Sequence, residues 1–335
     1  MNAGFAVPQP FGDLEGVRAL VTGGAGFIGV PLVERLVWAG CHVAVMDNFR
    51  VSKAERIEPL CPPVTLMEID LVDRESVLAA VKEWQPEISF HLAALHFIPE
   101  CRAHPAETLA INVLGTQHLL DALGELPEPG RILFMSTADV YQPSTEPHSE
   151  LSAVSPDNVY GLSKYTGEQL VAQYHAATGT PVTIVRQFNV YGPGETNPHI
   201  IPEIVAQLHT GDRLRLGNLD ARRDYIYVDD VADGLLALAA ASPPGRPVNL
   251  GTGQSHSGHR LIAEMADLTG RQLHVEQDPD RLRPSDRPNL QADVTSLRTQ
   301  LPDFSPLPLT EGLRRLLRAE GLLGGVERLE EPGAP

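Results

Sequence analysis

The chain has 335 residues, with 43 Asp and Glu against 26 Lys and Arg, giving a formal net charge of −17. That balance excludes general binding to nucleic acid or to an anionic membrane surface, but leaves room for a local basic pocket that takes an anionic metabolite. The three cysteines, Cys41, Cys61 and Cys101, have no CxxC spacing; this excludes a disulfide framework and a cysteine-based zinc site, and fits a reducing cytoplasm.

Residues 1–13, with Pro8 and Pro10, read as a loose tail without a secretory leader, and 321–335 read as a second tail. No apolar run approaches the roughly 20 residues of a membrane span, so a cytoplasmic protein is expected. The apolar run Val17–Val21 reads as a buried parallel strand that runs into Gly23, Gly24, Gly26 and Gly29. Helical spacing comes next over Phe27–Ala39, then a strand over His42–Met46 that stops at Asp47. Further strands are expected at Val64–Ile69, Ile88–Leu92, Arg131–Ser136 and Val182–Arg186, separated by helices at Arg74–Trp84, Glu107–Leu123 and Tyr160–Thr178. This alternation predicts an α/β fold, a Rossmann-type doubly wound parallel sheet. After Asn189 the texture breaks up: Pro193, Pro198 and Pro202, a helix over Glu203–Thr210, a strand-like run Asp224–Val228, a helix over Asp230–Ala241, a Gly/Ser-rich Gly251–Gly258 and a helix over Leu261–Leu268. That half is expected to form a smaller, discontinuous C-terminal substrate lobe.

Three motifs carry chemistry. Thr22-Gly23-Gly24-Ala25-Gly26-Phe27-Ile28-Gly29 is a glycine loop between strand and helix, where backbone can approach a pyrophosphate and a helix N-terminus faces it. Asp47, at the end of the next strand, suits the ribose hydroxyls of NAD and would repel the extra phosphate of NADP; otherwise it is a solvated strand-end acid. Asp70 is placed for the adenine amine, Asp73 beside it for capping a helix, and His91-Leu92-Ala93-Ala94 ends a strand in small residues that let backbone pass close to a cofactor. In Tyr160-Gly161-Leu162-Ser163-Lys164 the i, i+4 spacing puts phenol and ammonium on one helix face. A nearby cation favours phenolate and makes tyrosine a usable base, and Lys164 is one of only three lysines, with Lys53 and Lys82. The third motif, Ser136-Thr137-Ala138-Asp139, offers a hydroxyl beside the tyrosine at a strand end.

With these motifs in hand, the chain resembles the extended short-chain dehydrogenases/reductases of the NAD-dependent nucleotide-sugar epimerase/dehydratase family over roughly residues 17–318. The resemblance rests on TGGAGFIG (22–29), HLAA (91–94), NVLGT (112–116), STADVY (136–141), YGLSK (160–164), RQFNVYGPG (186–194), RRDYIYVDDV (222–231) and RPSD (283–286). It implies a Thr137–Tyr160–Lys164 triad, and NAD held by Gly23, Gly26, Phe27, Ile28, Gly29, Asp47, Asn48, Asp70, Leu71, Leu92, Ala93, Ala94, Asn112, Tyr160 and Lys164. It further implies a nucleotide-diphosphate sugar held by Thr137, Asn189, His199, Arg223 and Arg283, with no metal. Two arginines in so acidic a chain suit forked bonds to phosphates, though either can be a surface ion pair. The implied organisation is an NAD-binding domain over 14–190, completed by part of 224–250, and a sugar-binding lobe over 191–223 and 251–320. Family members pair as homodimers through a four-helix bundle, for which Glu107–Leu123 and Tyr160–Thr178 are the candidates here.

Oxidation of the sugar at C4 acidifies the C3 and C5 protons, and the fate of the keto sugar decides the reaction. A 4-epimerase returns the hydride to the other face; a 4,6-dehydratase needs an acid–base pair after the threonine, usually Asp-Glu, where this chain has Ala138-Asp139. The expected function is therefore an NAD-dependent nucleotide-sugar epimerase, with a dehydratase or decarboxylase as the alternative and a non-catalytic NAD-sensing scaffold as the remote one. Asp139 stands where 3,5-epimerising relatives carry a cysteine, and His199-Ile200-Ile201-Pro202 matches the histidine of GDP-fucose synthase. The pair can thus serve as base and acid at C3 or C5, or Asp139 can cap a loop while His199 contacts the nucleotide. The stretches Leu216–Asp224 and Arg283–Asp286 resemble GDP-mannose dehydratases more than UDP-galactose epimerases, which favours GDP over UDP slightly, and leaves the hexose open.

Overall fold

The computed structural model describes residues 14–60, 63–241, 245–281 and 287–323. Cys61 and the Arg283–Asp286 motif lie outside them. Seven strands form one parallel sheet: β1 (Arg18–Thr22), β2 (His42–Asp47), β3 (Val64–Glu68), β4 (Ile88–His91), β5 (Arg131–Thr137), β6 (Val182–Gln187) and, later in the chain, β10 (Pro247–Leu250). Their order is β10-β6-β5-β4-β1-β2-β3, so the winding reverses between β1 and β4. A crevice opens at such a switch point, beyond the carboxyl ends of the strands. Apart from Arg18 at the start of β1, the central strands are buried on both faces, which is why they read as largely apolar runs rather than alternating ones.

The α-helices α1 (Gly29–Trp38), α2 (Arg74–Trp84), α3 (Ile98–Ala103), α4 (Pro105–Leu109), α5 (Gly115–Gly124) and α6 (Val159–Thr178) connect the first six strands. One core packs α1 and α8 (Val228–Ala241) on one sheet face through Leu32, Leu36, Val231 and Leu235; a second packs α2, α5 and α6 on the other through Val77, Val81, Leu119, Leu123 and Val171. The expected helix over Glu107–Leu123 is one path in three pieces, with a π-turn at Ala110–Leu114 between α4 and α5. An extra residue in a turn re-aims a side chain, and here it aims Asn112. Asp73 caps α2, accepting from Ser76 N (3.3 Å) and Ser76 Oγ (2.6 Å).

The remaining strands make two small sheets. In one, β9 (Arg222–Tyr227) takes β7 (Asn189–Tyr191), β11 (Ser255–Ser257) and β13 (Asn289–Leu290) as partners; in the other, β8 (Arg213–Leu216) pairs with β12 (His274–Gln277). A third core packs β7, β8 and β9 with α7 (Ile200–Leu208), α9 (Gly258–Thr269) and α11 (Leu309–Ala319); α10 (Thr295–Gln300) packs beside β10. Helix α7 starts three residues before the expected Glu203 because Pro202 falls in its first turn, where a missing N–H costs nothing. The Gly/Ser-rich 251–258 segment contains β11, held by Asp224. That fully buried carboxylate accepts from Thr252 N (2.9 Å), Thr252 Oγ1 (2.6 Å), Gly253 N (2.8 Å) and Ala292 N (3.2 Å). Among the described residues no helix is long and apolar enough to cross a membrane.

Candidate active site

A cleft of about 630 Å³ opens at the switch point, lined from the glycine loop through the ends of β2, β4 and β5, the start of α6, and the segment from Gln187 to His199. Its floor is set by the loop glycines. Gly23 has φ +69°, and a Cβ there would stand 2.8 Å from the Ala93 backbone, so any other residue would push the β4 end away. Ala93 is itself fixed through a buried relay. Thr116 Oγ1 donates to Asn112 O (2.7 Å) and so accepts from His91 Nε2 (2.9 Å). His91 Nδ1 then accepts from Thr22 Oγ1 (2.7 Å), whose oxygen accepts from Ala93 N (3.3 Å). Burial, helped by the Lys164 charge, pushes His91 down to about 3, so it holds the relay as a neutral ring.

Asp47 ends β2 with its carboxylate facing the cleft, accepting from Ala25 N (3.1 Å), Phe49 N (2.9 Å) and Ser52 Oγ (2.8 Å). A carboxylate offers about four acceptor sites, so the group is oriented and still has capacity for a hydroxyl. Phe49 takes φ +51° to make this turn. Beside it Asn48 Nδ2 donates to Asp70 Oδ2 (2.9 Å). Arg50, which also lines the cleft, is ion-paired with Glu107 and with Glu100 (3.3 Å).

At the end of β5 the Tyr160 phenol shares the cleft with the Thr137 hydroxyl, which accepts from Asp139 N (3.2 Å). Burial first, and then the Asp139 charge, push Tyr160 well above the usual phenol range, while Thr137 opposes them. Lys164 is 2% exposed, with Nζ 4.3 Å from the Phe134 ring centroid. Burial pushes it down to about 7 against the pull of Glu168. Glu168 in turn accepts from Ser136 Oγ (2.5 Å), Arg186 Nε (3.0 Å) and Arg186 Nη2 (2.8 Å). The phenol therefore stays protonated in the protein alone, and a positive charge brought beside it would favour its ionised form.

Asp139 lies next to this pair, with Oδ1 3.8 Å from Arg287 Nε. Burial raises its pKa, opposed by Arg287 and then Arg223, and His199 also acts on it. Arg287, 6% exposed, donates to Asp157 Oδ1 (2.8 Å), Tyr141 O (2.9 Å) and Asp139 O (3.1 Å), so it clamps the turn that carries Asp139. Across the cleft, His199 Nδ1 is 3.1 Å from Glu195 Oε1 and its ring packs on Phe97. Asn197 Nδ2 donates to His96 Nε2 (2.9 Å).

Of the residues expected in the site, all those within the described chain line this cleft except Asn112. Asn112 is 1% exposed and turned the other way: Oδ1 accepts from Leu95 N (2.7 Å), and Nδ2 donates to Leu95 O (2.8 Å) and Ser163 Oγ (2.9 Å). It holds the β4 end to α6 rather than lining the cleft. Asn189 and Arg223 face the cleft. Asn189 has a buried Oδ1 with no hydrogen-bond partner among the described residues, and Arg223 Nη1 donates to Arg222 O and Arg287 O (both 2.8 Å). Arg283 lies outside the described residues. Reading the sequence missed Arg56, His96, Glu195 and Arg287, which also line the cleft. None follows from helical or strand spacing; Arg287 stands just past the RPSD motif, the one signal that pointed near it.

The model of the NAD dependent epimerase/dehydratase family matches residues 19–251. The chain belongs to this family. It is 30% identical over 308 residues to the UDP-glucose 4-epimerase of Mycolicibacterium smegmatis, covering 89% of this chain and 97% of that one. It is also 30% identical over 318 residues to a UDP-N-acetyl-alpha-D-glucosaminuronate decarboxylase of Bacillus cytotoxicus, covering 90% and 97%. Among solved structures it superposes on the UDP-glucose 4-epimerase of Thermus thermophilus in complex with NAD, with a TM-score of 0.81 and 30% identity, covering 91% and 99%. Family membership thus brings nucleotide-sugar chemistry; a relative named as an epimerase and one named as a decarboxylase are each 30% identical to this chain.

Proposed function

We propose that this protein is an NAD-dependent nucleotide-sugar epimerase that works through a transient 4-keto sugar. The observation that carries the reading is the shared cleft in which Thr137, Tyr160 and Lys164 meet the Asp47 carboxylate. Asp47 and the glycine loop fit the ribose and pyrophosphate of NAD, and the engagement of Arg50 by Glu107 and Glu100 leaves the 2′-phosphate of NADP unfavoured. When bound, NAD supplies acceptance and return of a hydride. Thr137 Oγ1 orients the sugar C4 hydroxyl, and Tyr160 Oη takes its proton and later returns it. The Lys164 ammonium one turn on favours the phenolate. The orphan Asn189 Oδ1 and the Arg223 side chain suit the nucleotide diphosphate of a UDP- or GDP-hexose.

Ala138 is buried in the core, so the position after the threonine supplies no acid for dehydration, and this supports epimerisation over the 4,6-dehydratase alternative. One observation favours a second reading within the same chemistry. Asp139 and His199 line the same cleft, and Glu195 beside His199 Nδ1 leaves Nε2 as the proton-accepting atom. The pair suits proton exchange at C3 or C5 of the keto sugar. The apolar groove along α4, α5 and α6, with Leu109, Leu114 and Leu162 each at least 40% exposed, suits a homodimer built as a four-helix bundle. Replacing Tyr160 with Phe tests the mechanism: turnover should fall by about 10²–10⁴ while NAD remains bound. Unchanged turnover would remove the proposed base.

A further inference from the structure

Arg56 is a cation in the cleft that the chemistry above does not use. It closes the single turn Ala54–Arg56 in the connection between β2 and β3, and the next residue, Ile57, is fully buried in the core, so the turn is anchored. The guanidinium reaches across to the loop after β7. A Cβ on Gly194 would stand 2.7 Å from Arg56 Nη2, and Gly194 has φ +86°. The other arginine of this connection, Arg50, has two carboxylates, and Arg35 on α1 has Asp229 and Asp233. Arg56 has no carboxylate within ion-pair distance among the described residues, although the chain has 43 acids. Burial lowers its pKa with no charge partner to oppose it. The nearest acid in sequence to Gly194, Glu195, is turned to His199. Partly burying an unpaired cation costs free energy, which an arriving anion would offset.

The geometry points to Arg56 as a diphosphate-binding residue that ties the β2–β3 connection to the Pro193–Gly194 loop across the mouth of the cleft. A planar guanidinium fork matches phosphate oxygens, and a diphosphate offers several of them at once. The identity of the diphosphate rests on the proposed reading, in which both ligands carry one: NAD and the nucleotide sugar.

The test is binding by the full-length protein, which does not depend on turnover and so stands even if the epimerase reading fails. Calorimetry with NAD, UDP and GDP, and saturation-transfer NMR with adenosine and uridine, would compare the wild type with Arg56→Ala and Arg56→Lys. Arg56→Ala should weaken at least one diphosphate ligand tenfold or more and leave both nucleosides within twofold, with Arg56→Lys in between. A loss confined to NAD assigns the cofactor pyrophosphate; a loss confined to UDP and GDP assigns the substrate diphosphate. Affinities within twofold for all three diphosphates, or an equal loss for the nucleosides, would overturn the assignment.

Discussion

Lys164 shows how the environment of one residue sets the chemistry. Its ammonium is buried over the Phe134 ring, and the acid that acts on it, Glu168, is already engaged by Arg186 and Ser136. Burial therefore wins and its pKa falls from 10.5 to about 7. Between those two values the unfolded chain holds a proton on this side chain that the folded chain does not, so this group's contribution to stability rises with pH across that window. Urea denaturation from about pH 7 to about pH 10 should show the wild type gaining on Lys164→Met as pH rises. A flat difference would mean the lysine keeps its ordinary pKa, and a shrinking one that folding raises it; either result contradicts the burial argument. Tyr160 and Lys164 were legible in the sequence because a helix turns i and i+4 to one face, and the structure keeps that spacing on α6. Arg287 was not legible, because its clamp on the Asp139 turn joins residues 148 positions apart.

Among the elements, the ends of the strands are positioned by side chains that do not line the cleft. The π-turn between α4 and α5 aims Asn112 at both backbone groups of Leu95 and at Ser163, and Thr116 on α5 completes the relay through His91 to Thr22. Asn112→Ala would leave the buried Leu95 N–H and C=O without these partners, with a cost of about 2–4 kcal/mol. Chemical denaturation should show that loss, and activity should fall with it, since α6 carries Tyr160 and Lys164. A loss under about 0.5 kcal/mol would mean the clamp is not needed. Six of the seven parallel strands were readable as largely apolar runs flanked by helices, whereas β10, which joins β6 from late in the chain, was not. The short strands β7, β8, β11, β12 and β13 were not, because two to four residues give too little periodicity and depend on partners far along the chain. Pro202 similarly reads as a breaker until its place in the first turn of α7 is known.

At the scale of the molecule, the winding of the sheet places the glycine loop, Asp47, Thr137 and Tyr160 at one crevice, although they are spread over more than 130 residues of chain. The same winding sets α4, α5 and α6 side by side with Leu109, Leu114 and Leu162 facing outward. If a second copy covers that face, the double variant Leu114→Glu, Leu162→Glu should run as a monomer by light scattering where the wild type runs as a dimer. A monomeric wild type would contradict the pairing. Oxidation of the sugar followed by its reduction, without net loss of atoms, can be followed by proton NMR and mass spectrometry. The protein would be incubated with NAD and with UDP-glucose, UDP-glucuronate or GDP-mannose in deuterated water. The proposed mechanism predicts an epimer of the supplied sugar nucleotide with NAD recovered in its oxidised form, and with ring deuterium at C3 or C5 only if Asp139 and His199 move protons there. A product that has lost water or carbon dioxide, or NADH that accumulates in step with product, would contradict it.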